Sequence, residues 1–162
     1  MDAELSRSRV VKTRDPHDWN SFDHYCTIHE KRLAEHPSLD ESKPNTLAFD
    51  SVEREGVLHV VLSGLVYCKR DVVLEVEKWF ETRFRGQILQ VKGVLYRYVA
   101  WVEGGYPVLR YHNLHENDNY VHRAFNPRTG EEILYEVLTR EQFPHLSDVL
   151  DEIGLLTRRY LD

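Results

Sequence analysis

The middle of the chain alternates apolar and polar positions with the two-residue period of β-strands. Turn-forming residues separate the alternating segments, so their short connections favour antiparallel pairing of neighbours. Gly64 interrupts the first segment and indicates either a bulge or the close approach of another backbone. Six strands are therefore predicted, over residues 57–68, 72–80, 90–103, 106–113, 120–125 and 132–138.

Helical periodicity flanks this region on both sides. Asp15-Pro16 is a suitable start for an N-terminal helix that ends near His36, and a second helix is predicted over about residues 144–158. The segment 38–51 is rich in turn formers and is predicted to be a loop. The apolar positions that define the helices are Trp19, Phe22, Cys26, His29 and Leu33 in the first, and Leu146, Val149, Leu150, Ile153 and Leu156 in the second.

These elements predict an α+β fold: an antiparallel β-meander of about six strands, with the N-terminal and C-terminal helices packed on one face. Residues 1–52 would hold the first helix and the connecting loop, and residues 53–162 the sheet and the second helix. A chain of 162 residues is long enough for one sizeable core, so both parts are expected to form one compact domain.

The dipeptide Gly104-Gly105 predicts a tight β-hairpin, because glycine tolerates positive φ. A turn there places Trp101 opposite Val108. The same register pairs Val99 with Arg110 and Arg97 with His112. One face of the hairpin would then carry Arg97, Val99, Trp101, Val108, Arg110 and His112, and the other Tyr96, Tyr98, Ala100, Val102, Leu109 and Tyr111.

Composition narrows the class of protein. With 41% hydrophobic and 30% charged residues the chain is ordinary for a globular protein, and no apolar run reaches membrane-spanning length. The first residues lack the apolar centre of a secretory signal, which favours a cytoplasmic protein with no membrane association. The net charge is -6, yet residues 57–128 hold 10 basic and 7 acidic side chains. A locally basic sheet could hold one phosphate-bearing ligand. The chain lacks the strong surplus of basic residues that a protein coating long stretches of nucleic acid would need.

The best candidate for chemistry is the basic group of Arg97, Arg110 and His112, with His122 and Arg123 on the following strand. Arginine binds phosphate through its rigid fork, and histidine exchanges a proton near neutral pH. The alternative is that these residues form an ordinary solvent-exposed sheet face without a function. His112, His115 and His122 with Asp118 are too loosely spaced for a known zinc motif, so neither a metal site nor a cofactor is expected.

The segment YRYVAWVEGGYPVLRYHN, the later pair His122-Arg123 and PHLSDVLDEI near the C-terminus together resemble the TumE-type toxin family of prokaryotic toxin-antitoxin modules, over residues 57–155. That family has an Arg-Tyr-Asp-Asn segment and a later His-Arg-His cluster. This sequence departs from both, with His112 in place of the aspartate and Ala124 in place of the final histidine. The positions that match are Arg110, Tyr111, Asn113, His122 and Arg123.

The resemblance implies a toxin-like protein that acts on RNA, as a metal-independent ribonuclease neutralised by an antitoxin protein. His112 and His122 would then exchange protons with the substrate, with Arg110 as the third catalytic residue. Phosphate contacts would come from Arg97, Arg123, Tyr111 and Asn113. Two alternatives stay open at this point: a non-catalytic domain that docks a protein partner on the exposed sheet face, and a phosphate- or nucleotide-binding domain without turnover. The oligomeric state does not follow from the sequence.

Overall fold

The computed structural model describes residues 4–7, 15, 17–113 and 120–162. In this part of the chain there are two α-helices and eight strands. The helices are α1 (Phe22–Leu33) and α2 (Leu146–Tyr160). The strands are β1 (Asn20–Ser21), β2 (Ala48–Arg54), β3 (Val57–Tyr67), β4 (Val72–Arg85), β5 (Ile88–Val102), β6 (Pro107–Asn113), β7 (Tyr120–Phe125) and β8 (Glu132–Leu138).

All strands join one antiparallel sheet in the order β2-β3-β4-β5-β6-β7-β8, and the short β1 pairs with β5 outside this path. Each strand of the main path therefore lies beside its neighbour in sequence, as short connections require. The α+β class and the antiparallel meander are confirmed. None of the helices in the described ranges is long and apolar enough to cross a membrane.

The predicted number of six strands was too low. The predicted loop at residues 38–51 contains most of β2, which is largely exposed and therefore lacks a clear apolar alternation. The break predicted after residue 80 is also strand, because β4 continues to Arg85 and pairs with Ile88 across a turn at Gly86. Most side chains of β2 and of the last residues of β4 are exposed, so burial imposes little pattern on the sequence there.

The N-terminal helix begins later than predicted. Asn20 and Ser21 are held as a strand against Val91 and Gln90, so helical geometry starts only at Phe22. The Ser21 side chain accepts a hydrogen bond from the backbone N–H of His24 and caps the helix. At the other end of the chain, the predicted helix over residues 144–158 corresponds to α2.

The sheet has a covered face and an open face. Both helices pack on the covered face: Tyr25 of α1 contacts Phe80 of β4 with ring centroids 4.9 Å apart, and Glu152 of α2 contacts His122 of β7. The apolar stripe of α2 is buried in the same core. On the open face, no helix of the described residues adds cover, and the strand side chains there are mixed in charge and partly exposed.

The central hairpin confirms the predicted pairs Arg97 with His112 and Val99 with Arg110. Closer to the turn the prediction was wrong, because Trp101 pairs with Pro107 and not with Val108. The register shifts after Ala100, and this irregularity leaves Val108 fully buried. The alternation beyond the bulge still places Arg97, Arg110 and His112 on the open face.

Gly64 marks a close backbone approach, one of the two interpretations of its position. Its φ is +145°, and an added Cβ would lie 2.5 Å from the carbonyl oxygen of Thr46. The segment before β2 therefore runs directly alongside β3 at this residue, where the backbone N–H of Thr46 donates to the carbonyl of Leu65 at 2.9 Å. Gly86 also has a positive φ of +65°, but a Cβ there would have no heavy atom within 4 Å.

We expect Gly64→Ala to lower the free energy of unfolding by at least about 2 kcal/mol, since backbone strain and overpacking each cost on the order of 1 to 3 kcal/mol. The matched control Gly86→Ala should cost only about 1 kcal/mol, because a left-handed φ is its sole penalty. Urea denaturation of the two variants measures the difference. Equal losses would show that the segment before β2 is not packed against Gly64.

Candidate functional site

Four side chains of three adjacent strands form the basic cluster of the open face, here called the arginine face: Arg97 of β5, Arg110 and His112 of β6, and Arg123 of β7. Arg97 pairs directly with His112, and Arg110 pairs directly with Arg123. Directly opposed residues on neighbouring strands have Cβ atoms about 4.5 to 5.5 Å apart. The sheet therefore brings three guanidinium groups and one imidazole together in two neighbouring rows.

Two of the three arginines have a carboxylate partner. Arg97 forms an ion pair with Glu75 of β4, and Arg123 donates a hydrogen bond of 2.8 Å to Glu132 of β8. Both pairs are at least one-third exposed, so each stabilises the fold only weakly. Within the described ranges Arg110 has no such partner. Its strand β6 lies between β5, which carries Arg97, and β7, where the directly opposed residue is Arg123; such like charges are unfavourable for folding.

His112 is electrically neutral in this setting. Burial, and then the nearby charges of Arg110, Arg123 and Arg97, lower the pKa of His112 below its ordinary value. Its Nδ1 atom is buried and has no hydrogen-bond partner in the described part of the chain. A neutral imidazole beside cations can accept a proton. His112 is thus the one member of the arginine face suited to act as a base.

His122 and Tyr111 lie on the covered face, opposite to the arginine face. Their rings stack with centroids 4.1 Å apart, and both side chains are completely buried. His122 Nδ1 lies 2.7 Å from Glu136 of β8, and His122 Nε2 lies 2.9 Å from Glu152 of α2. The Tyr111 hydroxyl donates to the same Glu152 at 3.0 Å. His122 therefore joins the sheet to the helix.

Charge balance explains how two carboxylates are tolerated in this interior. Burial by itself lowers the pKa of His122, but its hydrogen bonds to Glu136 and Glu152 prevail and raise it above the ordinary value. The doubly protonated ring can then donate to both carboxylates. The Arg7 guanidinium adds a second positive charge, which interacts electrostatically with Glu152, and its Nε donates to the Tyr111 hydroxyl at 3.3 Å. The uncharged backbone N–H of Arg7 separately donates to Glu136 at 2.6 Å.

Asn113 ends β6 and has a structural environment. Its side-chain oxygen accepts a hydrogen bond of 2.7 Å from the backbone N–H of Tyr96, and its amide nitrogen donates to the carbonyl of Val94 at 2.8 Å. The backbone pairing of β5 with β6 stops at His112. The amide side chain of Asn113 thus continues the ladder for one more step.

The seven residues that the sequence singles out are consequently divided between two faces of the sheet. Arg97, Arg110, His112 and Arg123 share the open face, whereas Tyr111, Asn113 and His122 are buried. A substrate on the open face cannot contact His112 and His122 together, since the sheet separates them. Proton exchange by this pair of histidines therefore does not fit the geometry.

The structure describes only part of the loosely spaced histidine group that the sequence raised as a metal site. His115 and Asp118 lie outside the described residues. Within the residues that the structure describes, no group of three or more histidine, cysteine, aspartate or glutamate side chains could hold a metal ion.

Three ionisable residues of the covered face were missed at the sequence level: Lys78, Glu136 and Glu152. They are 1%, 8% and 4% exposed. The sequence did indicate the burial of Lys78, because Lys78 lies in phase with the apolar residues Val76 and Phe80. A charged residue at such an inward strand position is expected to be buried.

Comparison of the chain with protein-family models, with curated proteins and with solved structures finds no match in any of the three. The resemblance to TumE-type toxins therefore rests on the residues of this sequence alone. Of the matching positions, Arg110 and Arg123 point to the open face, and Tyr111 and His122 belong to the buried network.

Replacement of His122 by glutamine should destabilise the fold in a pH-dependent way. A raised folded-state pKa means that the stability contributed by protonated His122 is fully present below the unfolded value of about 6.5. That contribution is lost as the pH rises through the folded-state pKa. We expect His122→Gln to cost about 3 to 5 kcal/mol at pH 6, because a buried charge loses its partner. The loss of unfolding free energy caused by His122→Gln should become smaller toward pH 9.

Urea denaturation at a series of pH values measures this cost. The matched control is His59→Gln, because His59 is also buried but its Nδ1–H donates to the carbonyl of Val57. That substitution should cost less than His122→Gln at pH 6, because the hydrogen bond that it removes joins a neutral carbonyl and not a carboxylate. A cost of His122→Gln that grows with pH would contradict the charged network.

Proposed function

We propose that this protein is an RNA-binding, toxin-like protein that holds the phosphodiester backbone of single-stranded RNA on the arginine face. The observation that carries the proposal is the direct pairing of Arg110 with Arg123, in which Arg110 has no carboxylate partner among the described residues. Like charges opposed across two strands oppose folding. An anionic ligand bound between the two guanidinium groups would offset that repulsion, which supports a role in anion binding.

The neighbours of the arginine face suit RNA better than a lone phosphate ion. Tyr135 of β8 is paired with Arg123 and is 55% exposed, so its ring is available for stacking with a base. The Arg123 guanidinium also lies 5.2 Å from the centre of the Phe125 ring. Stacking on aromatic rings beside arginines is the usual way in which proteins bind single strands.

The arginine face also has the groups for metal-independent cleavage of RNA. In this step the 2′-hydroxyl gives its proton to neutral His112, its oxygen forms a bond to the adjacent phosphorus, and the bond from phosphorus to the 5′-oxygen breaks. The 5′-oxygen takes a proton from water, and a 2′,3′-cyclic phosphate is left. The guanidinium groups stabilise the charge on the phosphoryl oxygens.

A second candidate function is docking of a protein partner, such as an antitoxin, on the same open face. Tyr135 and Val137 of the edge strand β8 are 55% and 48% exposed. Aromatic and arginine side chains are enriched at the centres of protein interfaces. The two functions differ in their ligand and are separated by titration with RNA.

We expect Arg110→Ala to weaken RNA binding by about 10- to 100-fold, since a charge-assisted hydrogen bond contributes about 1.5 to 3 kcal/mol. Fluorescence anisotropy with a labelled single-stranded RNA of about 12 nucleotides measures the affinity. The salt dependence should also become less steep by about 0.7, the value for one lost phosphate contact on a single strand.

The control variant is Arg85→Ala, which removes the same charge from an exposed position at the far end of β4. It should bind RNA like the wild type. Absence of binding by the wild type, or equal losses in the two variants, would reject the RNA proposal. In that case, retention of a co-expressed partner by the wild type and its loss in Arg110→Ala would favour the docking function.

Cleavage is tested separately with His112→Ala. Incubation of the wild type with labelled RNA in EDTA should give products that end in a 2′,3′-cyclic phosphate. His112→Ala should reduce the rate by about 100-fold or more, the usual contribution of a general base, while RNA binding is retained. Intact RNA with folded, RNA-bound wild type would limit the function to binding without turnover.

A further inference from the structure

A second unusual site lies on the covered face, around the amino group of Lys78. Lys78 occupies an inward position of β4 and is 1% exposed. No carboxylate of the described residues forms an ion pair with it. Its Nζ atom donates to Nδ1 of His17 at 2.8 Å and shares a hydrogen bond of 3.2 Å with the Tyr25 hydroxyl. Buried lysines usually have an acidic partner, so this amine requires another explanation.

The surroundings favour the neutral form of the amine. Burial, and then the charge of Arg140, hold the pKa of Lys78 well below its ordinary value, and Asp15 opposes this effect only in part. Asp15 is itself ion-paired with Arg140. The rings of Tyr25, Phe80 and Tyr96 lie 4.8 to 5.2 Å from Nζ. Each ring attracts a cation by about 0.5 to 2 kcal/mol, so the rings oppose part of the several kcal/mol needed to bury an unpaired ion.

His17 is held in the form that can accept a proton from this amine. Its Nε2 atom lies 3.2 Å from the carbonyl oxygen of Phe143 and must donate to it, which leaves the lone pair on Nδ1. The His17 side chain is buried, and its backbone carbonyl accepts hydrogen bonds from Gly93 and Arg140. The acceptor is therefore fixed 2.8 Å from Lys78 Nζ.

Gly93 leaves space for these groups. A Cβ atom on Gly93 would lie 2.3 Å from the Tyr96 hydroxyl and 2.9 Å from Cε of Lys78. The Tyr96 hydroxyl is buried and has no hydrogen-bond partner in the described part of the chain. This leaves an unpaired hydroxyl beside the lysine in the protein interior.

A cavity of about 370 Å³ connects Lys78 with the surface. The volume lies within the range of about 300 to 1,000 Å³ that small-molecule sites occupy. Exposed side chains such as His24 and Arg32 of α1 belong to its lining, so the cavity is open to solvent on that side. Tyr25, Ile28 and Lys78 form part of its wall.

We propose that Lys78 is a nucleophilic amine that forms a Schiff base with a small aldehyde or ketone admitted through this cavity. The Nζ lone pair forms a bond to the carbonyl carbon, and the Nζ proton passes through His17 Nδ1 to the carbonyl oxygen. The resulting carbinolamine loses water and becomes the imine. Amine and carbonyl compound thus give imine and water, with no oxidant or reductant.

The site is independent of the arginine face. Lys78 and Arg97 lie on opposite faces of the sheet, since Lys78 pairs with Tyr96, which precedes Arg97 in β5. Loss of RNA binding would leave the lysine chemistry unaffected. Loss of the lysine chemistry would likewise leave RNA binding unaffected.

The test is reductive trapping with propanal and sodium cyanoborohydride at pH 7, followed by peptide mapping by mass spectrometry. Reduction turns the imine into a stable secondary amine, so the modified lysine is identified directly. Lys78 should be labelled at least about tenfold faster than the exposed Lys31 and Lys69, because exposed lysines are mostly protonated at this pH. Labelling of Lys78 no faster than that of Lys31, or only in urea, would overturn the proposal.

Two variants complete the test, each checked for folding by its thermal transition. Ile28→Trp keeps Lys78 and reduces the space of the cavity; it should slow the labelling of Lys78 and leave Lys31 unchanged. The matched control Lys31→Arg should leave the labelling of Lys78 unchanged. If Ile28→Trp is folded and Lys78 reacts as fast as in the wild type, the cavity is not the route and the proposal fails.

Discussion

The alternation of side chains along the strands of a single antiparallel sheet is the constraint on which the structure depends. Each strand residue points either to the helices or to the open side, and successive residues point to opposite sides. Tyr111 and His112 are neighbours in sequence, yet one is in the core and the other on the arginine face. Every functional statement about this protein follows from that division.

The covered face is unusual in the number of ionisable groups that it buries. Near α2, Glu136 and Glu152 share protonated His122, and the Arg7 guanidinium adds a positive charge that interacts with Glu152. Under α1, the hydrogen-bond partners of Lys78 among the described residues are neutral. The first arrangement sets carboxylates against cations and fastens the helix to the sheet, as expected for a structural network. The second leaves a polar amine beside a cavity, as expected for a reactive group.

The fold was largely predictable from the sequence because burial imposes its period wherever a strand lies under a helix. The pairing of Arg97 with His112 and of Val99 with Arg110 followed from one glycine pair and that period. Strand β2 and the end of β4 were missed because most of their side chains are exposed and exposed residues carry no period. The bulge at Val108 depends on tertiary packing and has no local signal.

The site residues were predictable by type but not by face. The sequence grouped His112 with His122 because both lie close to arginines, although the pairing of Tyr111 with His122 places the second histidine in the core. The strand Tyr120–Phe125 has no glycine turn that sets its register from sequence. The face on which His122 lies is set by its hydrogen-bond partners, Glu136 and Glu152, which are distant from it along the chain.

The proposed function requires that the open face of the sheet, and not the covered face, holds the anionic ligand. Arginine side-chain NMR resonances of ¹⁵N-labelled protein, recorded during titration with single-stranded RNA, distinguish the two faces. We expect the Nε–H signals of Arg110 and Arg123 to shift, and the signal of Arg140, which is bonded to Asp15 on the covered face, to stay in place. Shifts confined to Arg140, or none at all, would show that the open face does not hold the RNA.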